Sequence, residues 1–119
     1  MLNLLIRITK DLNCATNLTI EALRSLKDIY IYADKIDEDN KGFTTDIDPV
    51  YRSLPLAMLA NRLSEDQLIR CIRTECQITH KSEIAQSACI SVVLLLSMLI
   101  KGQDFETSAR EVARKVVYF

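Results

Sequence analysis

The chain is 119 residues long, with 49% hydrophobic and 26% charged residues and a formal net charge of -1 at pH 7. So apolar a chain with so little net charge is not a disordered polymer, and its length fits one domain over residues 1–119. Its 15 basic residues are offset by 16 acidic ones, which leaves no electrostatic footprint for nucleic acid or an anionic membrane surface.

Two glycines and two prolines are too few to punctuate a sheet of tight hairpins, so helices are expected throughout. Four cysteines stand at 14, 71, 76 and 89, and no pair has metal-clip or redox spacing. They read as small apolar side chains in a reducing compartment, and the cytoplasm is the expected location.

In chain order, Leu4, Leu5, Ile8 and Leu12 recur at helical spacing, which predicts a first helix near residues 2–12. Thr16 and Asn17 cap a second helix, with Glu21 favoured in its first turn. Its apolar face is Ala22, Leu23, Leu26, Ile29, Tyr30 and Ala33. Residues 34–48 are acidic and contain Gly42, and they read as a loop. Pro55 fits the first turn of a helix running to about Arg62, with Leu56, Leu59, Ala60 and Leu63 as its stripe.

Ser64 and Gln67 form a capping box. The helix it opens points Leu68, Ile69, Ile72 and Cys76 inward and Arg70, Arg73 and Glu75 toward solvent. After a break at Thr79, His80 and Lys81, Ser82 caps a helix whose most apolar stretch runs from Ser87 to Ile100. That stretch is shorter than the roughly 20 apolar residues a membrane span needs. Lys101 and Gly102 close it, and Asp104 caps a last helix with Ala109, Val112, Ala113 and Val116 inside. A helix apolar on nearly all sides must be wrapped by the others, so the expected architecture is all-α, orthogonal or bundle-like, around a central apolar helix.

Residues 37–48 begin like an EF-hand calcium loop, with Asp37, Asp39 and Asp48 at positions one, three and twelve and Gly42 at position six. Lys41 stands at position five, where an oxygen ligand belongs, and Asp48 replaces the longer bidentate glutamate. The sequence expects a solvated acidic connector there. Arg70, Arg73, Arg110 and Arg114 read as solvent faces of helices, whereas Arg52 is a candidate loop anchor.

The segments Arg52-Ser53-Leu54-Pro55-Leu56, Thr79-His80 and Ala85 to Gly102 occur in that order, with a weaker match at Asn17-Leu18-Thr19-Ile20-Glu21-Ala22-Leu23. This ordered set resembles the middle of the ADP-ribosylglycohydrolases, over roughly residues 11–117. The resemblance implies an all-helical fold, hydrolytic removal of ADP-ribose, and two magnesium ions in the family. It also implies substrate-contact candidates: His80, from the Thr-His pair, and Asp48 and Tyr51, which stand where the family has a Gly-Asn-Gly loop approaching ADP-ribose.

The early Gly-Asp, the Thr-Asp-Asp and the late Asp-Thr-Asp segments that bind the family's magnesium do not occur in this chain. Two aspartates and a proline over 46–49 also oppose close approach to a phosphate. The expectation is therefore a truncated or split relative with no catalytic residue, metal ligand or cofactor of its own. Its expected partners are a complementary chain or a second copy, with an ADP-ribose-like ligand admitted by the resemblance and neither nucleic acid nor membrane. The alternative is a small helical interaction module with a weak EF-hand-like loop.

Overall fold

The computed structural model describes residues 29–42 and 45–116. The helix expected near 2–12, the Thr16–Asn17 cap, the Asn17–Leu23 match and Cys14 lie outside the described residues. Within them the chain is all-α, with no strand.

Helix α1 spans Ile29–Asp39, α2 Asp48–Ser53, a 3-10 helix Leu54–Asn61, α3 Glu65–Cys76, α4 Glu83–Ile100 and α5 Phe105–Val116. α4 is the centre, packing against α2, the 3-10 helix, α3 and α5. Its buried residues Cys89, Ile90, Val93, Leu94 and Met98 meet Leu68, Ile72 and Cys76 of α3, Ala57 of the 3-10 helix and Val112 of α5 in one core. Each such aliphatic side chain contributes roughly 1.5–3 kcal/mol on burial. By length and composition α4 is also long and apolar enough to cross a membrane. Eight of its eighteen residues are buried under its neighbours here.

Several elements depart from expectation. Residues 34–39 are the C-terminal part of α1 and not a loop, because Ala33 and Ile36 continue a buried helical stripe through the acidic residues. α1 ends in a Schellman closure: Gly42 N donates to Asp37 O at 2.8 Å and Lys41 N to Glu38 O at 3.0 Å, with Lys41 left-handed at φ 57°. α2 is an additional helix, with Pro49 at its start where a missing N–H is harmless. Pro55 lies in the first turn of the next element, as expected, but that element is 3-10. The proline has no N–H for the Tyr51 carbonyl, and its ring crowds that carbonyl, so the α ladder of α2 cannot run through it.

The capping box is present: Gln67 N donates to Ser64 Oγ at 3.3 Å, and Ser64 N to Gln67 Oε1 at 2.9 Å. Asp104 caps α5, its Oδ1 accepting from Thr107 N at 2.9 Å. Ser82 precedes α4 but makes no side-chain cap, being buried beneath it. α4 closes on Gly102, at φ 87°, through Gln103 N to Met98 O and Gly102 N to Leu99 O. On α5, Val112 is buried while Ala113 is exposed, and Ser108 takes the inner position the pattern gave to Ala113. Ser108 is tolerated inside because its hydroxyl donates back to Asp104 O at 2.8 Å. Of the described cysteines, Cys76 and Cys89 are buried and Cys71 is exposed.

The acidic segment does not make a calcium loop. Asp37 and Asp39 lie two residues apart on a helix, so their side chains diverge by roughly 200°, and the Asp37 carbonyl is spent on the Schellman closure. Calcium titrated calorimetrically into the chain is expected to bind no tighter than about millimolar, and Lys41→Asp is expected to leave that unchanged. Micromolar binding by either form would show that residues 37–48 refold into an EF-hand loop.

Candidate functional site

The break between α3 and α4 carries Thr79 and His80, and both are buried; the His80 residue is 0% exposed. His80 Nδ1 lies 2.6 Å from Thr79 Oγ1, and Nε2 lies 2.7 Å from Asp46 Oδ2. Arg52 Nη2, from α2, donates to the same Thr79 oxygen at 2.8 Å. Partner chemistry fixes the direction of this line. Arginine can only donate, so Thr79 Oγ1 accepts from it, and in the neutral imidazole with its hydrogen on Nε2 the Thr79 hydroxyl donates to Nδ1. The Asp46 carboxylate accepts, so Nε2 carries the imidazole hydrogen. Every polar atom in the line then has a partner.

Glu75, one turn before Thr79 on α3, holds the other side of Arg52. Arg52 Nε donates to Glu75 Oε1, and Nη2 reaches the Glu75 carbonyl at 3.3 Å. Ser53 Oγ lies 2.6 Å from Glu75 Oε2 and 2.7 Å from Pro49 O, and its one hydrogen serves these two acceptors in alternation. Arg52 is thus the anchor that the sequence offered as a candidate. Glu75, expected to face solvent, is instead turned toward α2.

Behind this layer sit the two buried thiols. Cys76 Sγ donates to His80 O at 3.7 Å. A hydrogen bond shared with Cys89, reinforced by burial, holds the Cys76 thiol far above the usual range, so it does not present a thiolate. On the other side of the break, Gln86 of α4 is buried. It accepts from Arg73 Nη1 at 3.3 Å and Gln77 Nε2 at 3.2 Å, and donates to Lys81 O at 2.8 Å. Lys81 Nζ pairs with Asp34 of α1 at 3.1 Å.

Of the three substrate-contact candidates, His80 lies at the heart of this network with both ring nitrogens engaged. Asp48 starts α2, and its amide donates to Asp46 Oδ1 at 3.3 Å, so Asp46 joins it to His80. Tyr51 stands 63% exposed on α2, beside the anchored Arg52 but outside the buried line. The sequence reading missed Asp46, Glu75 and Ser53 as members. For Asp46 a signal existed: an aspartate two residues before the N-terminal residue of a helix is placed to accept that residue's amide. Glu75 gave none beyond its i,i+4 spacing from Thr79.

Chemically, the cluster is a closed relay that orders three chain segments. The Thr79 hydroxyl, hydrogen-bonded to an imidazole that a carboxylate orients, has the connectivity of an activated nucleophile, but it is buried and already accepts from Arg52. Among the described residues, no group of three or more His, Cys, Asp or Glu is arranged to hold a metal ion. The donors among the described residues do not fit the magnesium pair that the resemblance implies. Compared with protein-family models, with curated proteins and with solved structures, the chain matches none.

Proposed function

We propose that this chain carries the helical middle of an ADP-ribosylglycohydrolase-like fold. The family activity is hydrolytic removal of ADP-ribose, and this chain alone does not perform it. The observation that supports the reading is the direct hydrogen bond from Arg52 to Thr79. The Arg-x-x-Pro segment and the Thr-His pair, 27 residues apart, are two of the segments that carry the resemblance, and the exposed Arg52 reaches in to the buried Thr79. A chance pair of surface motifs has no reason to converge on one buried histidine.

In this reading, Arg52, Glu75, Thr79 and His80 are positioning residues. They hold the start of α2, with Asp48 and Tyr51, at a fixed angle to α4, on the side where an ADP-ribose-like ligand would approach. Hydrolysis of the glycosidic bond needs an activated water and a clamp on the ribose hydroxyls, and two metal ions would supply both. The donors for such ions are not assembled here, so no step is assigned to these residues. The expected location is the cytoplasm.

The test is incubation of the purified chain with ADP-ribosylated protein, with and without magnesium. No release of ADP-ribose above the rate without protein is expected in either condition. Release that depends on magnesium and stops with chelator would overturn the proposal.

A further inference from the structure

Cys76 and Cys89 are thirteen positions apart in sequence, a spacing that announces nothing, yet the fold makes them neighbours. Cys76 ends α3 and Cys89 stands in the second turn of α4. Both residues are 0% exposed, both are free thiols, and both belong to one core. Their sulfurs share a hydrogen bond across the packed α3–α4 pair. The Cys76 hydrogen has two acceptors in reach, His80 O at 3.7 Å and the Cys89 sulfur, and serves them in alternation. Cys71 has no part in this: five residues before Cys76 on α3, it lies roughly 140° around the helix, on the exposed side.

Two core thiols in contact have a reaction open to them that a solitary one lacks. Sulfurs within hydrogen-bond reach are joined by small turns of two short side chains, with the helices left in place. The disulfide loses two hydrogens and gains no atom, so the core shared with Ile72, Ile90 and Val93 is not overpacked. A sulfinic acid in the same place would bury a charge. The hydrogen bond from Cys76 favours the thiolate of Cys89 and lowers its pKa, against the upward pull of burial, while Cys76 keeps its proton. Cys89 is therefore the attacking sulfur and Cys76 the resolving one.

We propose that Cys76 and Cys89 are a reversible redox pair, which a hydroperoxide oxidises to a disulfide that braces α3 to α4 across the Thr79–His80 break. With hydrogen peroxide, the Cys89 thiolate attacks one oxygen. The O–O bond breaks, the departing hydroxide takes up the proton that Cys89 released, and Cys89 becomes a sulfenic acid. The Cys76 sulfur then attacks the Cys89 sulfur. The S–S bond forms, the S–O bond breaks, and the hydroxyl leaves with the Cys76 proton as a second water. Two thiols and one peroxide thus give one disulfide and two waters. A small dithiol reverses the step by exchange and becomes a disulfide itself. Such a transient cross-link suits redox sensing where thiols are otherwise kept reduced. The inference is independent of the ADP-ribose reading.

Peptide mapping tests it on the folded full chain. The reduced protein is treated with a modest excess of hydrogen peroxide, remaining thiols are blocked, and trypsin is added. Cleavage after Arg73, Lys81 and Lys101 puts Cys76 and Cys89 on separate peptides, 74–81 and 82–101. The expected product is these two peptides linked, two hydrogens lighter than their sum and separated by dithiothreitol. In a Cys14→Ser, Cys71→Ser background, where no other pair can form, oxidation is expected to raise the melting temperature by about 10 °C. Adding Cys89→Ala is expected to abolish that rise. The wild-type peptide map keeps the test decisive should the Cys89 variant fail to fold. Absence of the 74–81 to 82–101 link overturns the proposal, as does a link that forms only in urea. A disulfide that leaves the melting temperature unchanged also overturns it, because it then braces nothing.

Discussion

Replacing His80 by alanine is expected to cost the fold about 3 kcal/mol, from a cavity at a fully buried site and a stranded Thr79 hydroxyl. The side chain is the middle of the line from Arg52 to Asp46; Asp46, its side chain 31% exposed, can turn to water, but the buried Thr79 hydroxyl cannot. Urea denaturation should show the midpoint falling by about 2 M, given the shallow slope of a domain this size. Adding Thr79→Val to His80→Ala should recover part of the loss, because the orphaned hydroxyl disappears with it. The pair would then be clearly non-additive. If His80→Ala shifts stability by less than about 0.5 kcal/mol, in the range of ordinary surface changes, His80 is not the keystone of this cluster.

The second large effect is Leu94→Ala. Leu94 is 2% exposed near the middle of α4, inside the core shared with α3 and α5. Truncating it removes transfer free energy and leaves a void that well-packed helices close only in part, so a loss of about 2–5 kcal/mol is expected. Thr74→Ala on α3 is the matched control. Its hydroxyl only donates back to the Arg70 carbonyl on an exposed surface, and its removal should change stability by no more than about 0.5 kcal/mol. Thermal melts of the two variants would separate these outcomes. Equal effects would mean that α4 is not the helix around which the others condense.

Much of the fold was legible because it is written in local rules. The Ser64–Gln67 capping box, the Asp104 cap and the Gly102 closure each depend on residues within one turn, and each occurs where the pattern put it. The central apolar helix followed from composition alone. What failed was longer in range. Acidic residues 34–39 look like a loop until Ala33 and Ile36 are seen to be buried on one side of the same helix. Pro55 announces a helix start correctly but not that α2 precedes it and forces a 3-10 turn. Ser82 has the residue type of a cap, yet it is buried and makes no cap bond.

The candidate site was half legible. His80 and Arg52 stood out by their segments, but Asp46 and Glu75 are ordinary acids until the fold brings them across 34 and 23 residues to their partners. Arg73 likewise looks like a solvent-face arginine, and only the packing of α3 on α4 turns it onto Gln86.

The disposition of the thiols has a kinetic consequence. Cys71 and Cys76 lie on the same helix five residues apart, one exposed and the other, like Cys89, sealed beneath the His80 break. A thiol-specific reagent meets Cys71 at its ordinary rate, whereas Cys76 and Cys89 can react only through excursions that part α3 from α4. The ratio of the slow rates to the fast one, read on one protein in one tube, is therefore a gauge of how often that seam opens. Because opening frees both sulfurs together, Cys76 and Cys89 should share a single slow rate despite sitting on different helices.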